Sequence, residues 1–291
     1  MSDIEGVIAL LRSAPVDFTA DLASLRARFA TLADTDRPRP PATVRSATTA
    51  GVPVLEITHP DDAPGVVIFV HAGGYIAGSA EASLPLAARI ARAAGRRLIS
   101  VDYALAPEHP FPVARDQLAA VYDAVIDEGV RPAEIALVGA SAGGGIALQF
   151  LVATTAPPPG ALVVLSPFAD LELLGESMER NASDDPSLTR SGLERCAGDY
   201  LGATPAVEAD VLHASLEHFP PTLIQVGALE ILQDDSVRLA AVLARAGVEV
   251  RLQSWAGMVH VFPTFAGALA EGREAIEGIG AFITRYARQP G

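Results

Sequence analysis

Ser141 stands in "GASAGG" (139–144), between the apolar run "EIALV" and the helix-forming stretch "GGIALQFLVA". A serine in a G-x-S-x-G turn between a strand and a helix has its hydroxyl lifted above the sheet. The N-terminus of the following helix then favours negative charge developing on a substrate carbonyl oxygen. This is the chemistry of nucleophilic acyl transfer. The same small residues also serve as a plain glycine turn that packs a helix tightly on a strand, and the segment by itself leaves both readings open. Dinucleotide binding fits worse. Ser141 occupies the second glycine position of G-x-G-x-x-G, where a side chain blocks a pyrophosphate, and the loop lies late in the chain instead of opening it.

A serine nucleophile needs a histidine to take its proton and an acid to fix the imidazole. The chain has His59, His71, His109, His213, His218 and His260. His260 follows "WAGM" after the last predicted strand, where the order serine, acid, histidine places the base. The residues alone leave it as one loop histidine among others. For the acid, "GALEILQDDS" (227–236) offers Glu230, Asp234 and Asp235. Glu230 directly follows a predicted strand, whereas the two aspartates sit where N-capping residues of the next helix belong. An oxyanion needs N–H donors, and "HAGGY" (71–75) ends another strand. If that loop faces Ser141, the N–H groups of Gly73, Gly74 and Ala142 converge on one carbonyl oxygen. Alone, Gly73 and Gly74 also read as a tight turn needing positive φ.

The elements that must hold these residues alternate along the middle of the chain. Apolar, β-branched runs at 52–57, 65–70, 96–101, 134–139, 161–166, 221–227 and 248–255 predict strands. Between them, apolar residues recur at intervals of three and four over 81–94, 112–128, 142–154, 234–246 and 264–288, which predicts helices. This is the pattern of a mainly parallel sheet covered on both faces. Residues 1–35 and 170–218 break it, the first with helical spacing and the second acidic and irregular; together they predict a cap on a single domain. "DRPRPPAT" (36–43) predicts a linker.

The totals exclude several classes. Among 291 residues there are 21 basic and 35 acidic ones, a net charge of −14, which repels nucleic acid and anionic membranes. All the basic residues are arginine, so neither a lysine Schiff base nor a phosphate-loop lysine is available. Cys196 is the only cysteine, which excludes an intrachain disulfide and a thiolate metal cluster. No apolar run approaches the roughly 18 residues of a membrane span, and the acidic start of the chain is unlike a signal peptide, so a cytoplasmic location is expected.

Taken together, "HAGGY" (71–75), "DYALAPEHPFP" (102–112) and "GASAGG" resemble the hormone-sensitive lipase family of esterases, microbial family IV of the α/β-hydrolases. The resemblance extends to "SPFADL" (166–171) and "WAGMVHVF" (255–262) and covers roughly residues 45–288. It implies an eight-stranded, mostly parallel sheet with a helical cap, and hydrolysis of short- to medium-chain esters through an acyl-enzyme, without cofactor or metal. It assigns Ser141 as nucleophile, His260 as base and, by alignment of "EIL" (230–232) with the family's Asp-Pro-Leu, Glu230 as acid. His71 and His109 become supports of their loops. Two positions depart from the family's pattern: Ala72 replaces a glycine of the usual HGGG, and Ala140 replaces the aspartate usual before the nucleophile. The expected partner is a small-molecule ester, and the resemblance admits a homodimer. Lactones, or amides and acetyl groups cleaved by the same triad, are alternative substrates. A ligand receptor on this fold is the non-catalytic alternative, against which His260 argues.

Overall fold

The computed structural model describes residues 3–31 and 42–288. Eight strands, β1 (Thr43–Thr49), β2 (Val52–Thr58), β3 (Ala63–Val70), β4 (Arg96–Val101), β5 (Ile135–Ala140), β6 (Ala161–Leu165), β7 (Thr222–Gly227) and β8 (Val250–Trp255), form one sheet in the order β1-β2-β4-β3-β5-β6-β7-β8. The pairs β1–β2 and β2–β4 are antiparallel and the rest are parallel. The helices are α1 (Asp3–Ser13), α2 (Leu22–Ala30), α3 (Leu84–Ala94), α4 (Val113–Asp127), α5 (Ala142–Ala153), α6 (Ser177–Arg180), α7 (Arg190–Leu201), α8 (Gln233–Arg245) and α9 (Ala270–Tyr286).

From Val66 onward in β3, and along β5 and β6, the strands are buried on both faces because their side chains are apolar. Along β3, Val66, Ile68 and Val70 join the cluster shared with Leu118, Val121, Ile146 and Leu239 of α4, α5 and α8. Val67 and Phe69 join Leu84, Ile90, Ile279 and Phe282 of α3 and α9 on the opposite face. Each such side chain contributes roughly 1.5–3 kcal/mol by burial. The pairings Val70 with Gly139, Ala140 with Leu165 and Gly227 with Trp255 bring the C-terminal ends of β3, β5, β6, β7 and β8 to one edge. Ligands of open parallel sheets bind at that edge.

Two expectations change. The expected linker at 36–43 lies outside the described residues over 36–41, and from Thr43 the chain is already the edge strand β1. Its sequence, TVRSATT, is exposed and shows little hydrophobic alternation, so periodicity missed it. Pairing with β2 comes instead from the two-residue turn Ala50–Gly51, both at positive φ (+49° and +80°), as a tight hairpin requires. The helix expected at 264–288 starts only at Ala270, after a 3₁₀ turn at Phe262–Phe265, because Leu269 is extended (φ −94°, ψ 131°).

The described parts of the two irregular segments lie over the loop edge of the sheet; 1–2 and 32–35 fall outside the described residues. Val7 of α1 packs with Met258, Val259 and Phe262, beside His260. Phe18, between α1 and α2, and Cys196 of α7 both crowd Gly74: a Cβ on Gly74 would lie 2.9 Å from Phe18 Cε1 and 2.5 Å from Cys196 Sγ.

Candidate active site

The turn from β5 into α5 bends at Ser141, which holds φ +52° and ψ −119°. A non-glycine residue there costs roughly 1–3 kcal/mol and persists only where its surroundings fix it. Here Ser141 N donates to Leu165 O at 2.8 Å, while Ser141 O accepts from Gly145 N and Phe168 N, each at 3.1 Å. A Cβ on Gly143 would stand 2.2 Å from Val70 O and 2.5 Å from His71 O. The first turn of α5 thus reaches the loop after β3 only because that residue is glycine.

The structure brings Ser141, His260 and Glu230 into one line. Ser141 Oγ lies 2.9 Å from His260 Nε2, and His260 Nδ1 lies 2.7 Å from Glu230 Oε2. With the carboxylate accepting from Nδ1–H, Nε2 is left free to accept from the serine hydroxyl. Glu230 is fully buried, and a buried carboxylate must be matched by donors. Its Oε1 accepts from Gly227 N at 2.5 Å and from Ser166 Oγ at 2.7 Å. Ser166 Oγ in turn accepts from Val261 N at 3.1 Å, so one hydroxyl ties the turn after β7 to the residue following His260. Ser166 itself sits at φ +47°. Sequence reasoning quoted this serine within "SPFADL" and gave it no task; a polar residue ending an apolar strand at the loop edge was the available signal.

Asp234 and Asp235 stay away from His260, and neither caps α8, whose N-cap is Leu232. Both lie inside the first turn. Asp234 Oδ2 accepts from Ser177 N at 2.9 Å, and Asp235 Oδ2 accepts from Ala169 N and Asp170 N at 2.9 and 2.8 Å. The capping expectation fails because their side chains turn to the segment between β6 and β7 instead of to their own helix. Burial pushes the Asp235 carboxyl up to about 7, against the pull of those two N–H donors.

The loop after β3 turns at Gly73 and Gly74, with φ +141° and +61°. A side chain at Gly73 would put its Cβ 1.9 Å from Ala77 O. Among the described residues neither N–H donates a hydrogen bond within the protein. Behind them His71 is buried, stacked on Tyr103 with ring centroids 4.1 Å apart, and its Nδ1–H donates to Ala72 O at 2.8 Å. Burial lowers its pKa to about 4, so it is neutral at physiological pH. His218 contacts Leu151 O at 2.6 Å, and His213 pairs with Asp210 at 2.5 Å, away from the serine. His59 N donates to Asp62, and His109 N donates to Leu105 O at 3.0 Å within its turn. The two departures, Ala72 and Ala140, belong to one apolar cluster with Val261, on the α3 and α9 face of the sheet.

Ser141 is 6% exposed and the His260 side chain 11%, and Phe18 and Cys196 close in on the neighbouring Gly74. No helix among the described residues is long and apolar enough to cross a membrane, and no group of three or more metal-ligating side chains occurs among them.

Comparison with known proteins agrees with this architecture. The sequence pattern of the α/β-hydrolase fold matches residues 67–264. An acetyl-hydrolase of Streptomyces hygroscopicus is 36% identical over 222 residues, 75% of this chain and 74% of that protein. A crystal structure of an esterase from the bacterial hormone-sensitive lipase family superposes with a TM-score of 0.94 at 36% identity, over 98% of each chain. A structure of EstE5 soaked with p-nitrophenyl butyrate does so with a TM-score of 0.91 at 32% identity, over 97% of this chain and 98% of that one. By sequence pattern, overall fold and similarity along its length, the chain belongs to the α/β-hydrolase fold family, among the esterases of the bacterial hormone-sensitive lipase family.

Proposed function

We propose that this carboxylic ester hydrolase cleaves short- to medium-chain acyl esters by two-step acyl transfer. Ser141 Oγ attacks the ester carbonyl carbon while His260 Nε2 takes its proton, and the N–H groups of Gly73, Gly74 and Ala142 receive the developing oxyanion. His260 then protonates the leaving alkoxide as the carbon–oxygen bond breaks, leaving the acyl group on Ser141. Water, deprotonated by His260, attacks the acyl carbon, and Ser141 recovers its proton as the acid departs. Glu230 fixes the imidazole tautomer and stabilises the imidazolium formed in each half. The single observation that carries this reading is the bonded line Ser141–His260–Glu230, at 2.9 and 2.7 Å, anchored on a serine at φ +52°.

The described residues of 1–35, together with 170–218, act as a cap on one hydrolase domain. Its close approach over Gly74 and the low exposure of Ser141 favour small acyl groups. The relative named an acetyl-hydrolase and the EstE5 crystal soaked with p-nitrophenyl butyrate point the same way. The test is turnover of p-nitrophenyl esters of increasing acyl length. Acetate to octanoate should be cleaved and longer esters poorly, and Ser141→Ala should lose about 10³-fold or more in kcat. Unchanged turnover in that variant overturns the nucleophile. Glu230→Ala should lose far more activity than Asp234→Ala, and the reverse order overturns the acid.

A further inference from the structure

The segment between β6 and β7 grips the turn that bears Glu230. Asn181 Nδ2 donates to Glu230 O at 2.7 Å and to Ala228 O at 3.2 Å. Ser177 Oγ donates to Ile231 O at 2.6 Å and accepts from Asp234 N at 3.0 Å. Asp185 Oδ2 accepts from Ile231 N at 2.9 Å, the peptide immediately after Glu230. Its other oxygen accepts from Ser187 N and Leu188 N at 2.8 and 3.1 Å. Main-chain donors from two separate segments therefore orient one carboxylate.

We propose that Asp185 is a positioning residue for the hydrolytic reaction: it holds Ile231, and so Glu230, in register with His260, and its negative charge favours the imidazolium formed when Ser141 attacks. This rests on the roles given above to Ser141, His260 and Glu230. Asp185 also answers to the charge of both neighbours. Burial raises its pKa, while the Ile231 N–H and a protonated His260 lower it and Glu230 raises it. The same attraction favours the positive imidazolium that forms at His260 when Ser141 attacks. Two carboxylates bear on His260: Glu230, from the turn after β7, and Asp185, from the segment before it. Asp234, on the first turn of α8, is occupied with Arg180 at 2.9 Å.

The experiment is the pH dependence of kcat/KM for p-nitrophenyl acetate in the full chain, with thermal melting of every variant. Asp185→Asn keeps the shape and one acceptor and removes the charge. Its kcat should fall about tenfold, and the acid limb of its profile should move down by about half a pH unit or more, because a negative charge that favours the imidazolium is gone. Ser177→Ala removes a neutral grip on the same turn and should lower kcat with the limb in place. Asp185→Glu displaces the oxygens and keeps the charge, so the limb should return to its wild-type position. A wild-type limb in Asp185→Asn overturns the proposal. If Asp185→Asn fails to fold, a shifted limb in Asp185→Glu overturns it as well. Turnover retained by Ser141→Ala instead strikes the underlying triad, whereas an inactive Ser141→Ala beside an unmoved Asp185→Asn limb removes only the role of Asp185.

Discussion

The serine side of the site, at the ends of β3 and β5, is held mainly by main-chain geometry, while the acid side, at the turn after β7, adds a set of side-chain hydrogen bonds to its own main-chain contacts. At the first, Ser141 at φ +52° and Gly73 at φ +141° are fixed by backbone hydrogen bonds and by contacts that leave no space for a Cβ. At the second, Ser166, Ser177, Asn181 and Asp185 bond the turn that bears Glu230. Steric fixing is all or none, because a misplaced Cβ meets a rigid carbonyl. Polar fixing is graded, because each hydrogen bond contributes only about 0.5–1.5 kcal/mol and several share the task.

That contrast predicts a ranking. Gly73→Ala should have the largest effect, since the new Cβ collides with Ala77 O and the residue must leave φ +141°. We expect a loss of kcat of about 10²-fold or more, in the range of a lost oxyanion donor, with Ser141 still labelled by a phosphonate probe at a reduced rate. Near-normal kcat would break the distinction between the two sides. Ser166→Ala should be intermediate, costing about tenfold in kcat, because it removes one of the two donors to Glu230 Oε1 and leaves Val261 N without its acceptor. A loss as large as that of Glu230→Ala would show that the acid side too depends on one contact.

The smallest effect concerns stability rather than rate. Asp235 has its folded pKa raised to about 7 from an ordinary 3.8, so the folded chain binds this proton more tightly than the unfolded one. Its stabilising contribution is therefore complete below about pH 4 and is lost as pH rises through about 7. Asp235→Asn lacks this titration. Relative to that variant, the wild type should lose a few degrees of Tm, roughly 2–4 °C, between pH 5 and 8. A constant difference across that range would mean that Asp235 stays ionised and that the segment at 169–170 is held by full charge.

Buried strands and sharp turns leave local marks in a sequence, whereas long-range polar contacts do not. The expected strand at 96–101 matches β4, and those at 65–70 and 221–227 differ from β3 and β7 by at most two residues, because buried strands need uninterrupted apolar runs. Strand β1 escaped, since an exposed edge needs no apolar pattern. Ser141 and the two glycines after His71 were visible because a sharp turn restricts residue type locally. Asn181 and Asp185 were not, since nothing local distinguishes an asparagine or an aspartate that will bond a distant peptide.

The sequence by itself determined the alternation of strands and helices, the serine turn, the absence of lysine and the single cysteine. Only the tertiary structure decided which of Glu230, Asp234 and Asp235 meets His260, and which polar residues hold that carboxylate. The reason is range. Helical periodicity, strand burial and positive φ act between neighbours, whereas Ser141 meets His260 across 119 residues and Ser166 meets Glu230 across 64. Those meetings exist only once the parallel strands have aligned their C-terminal ends along one edge.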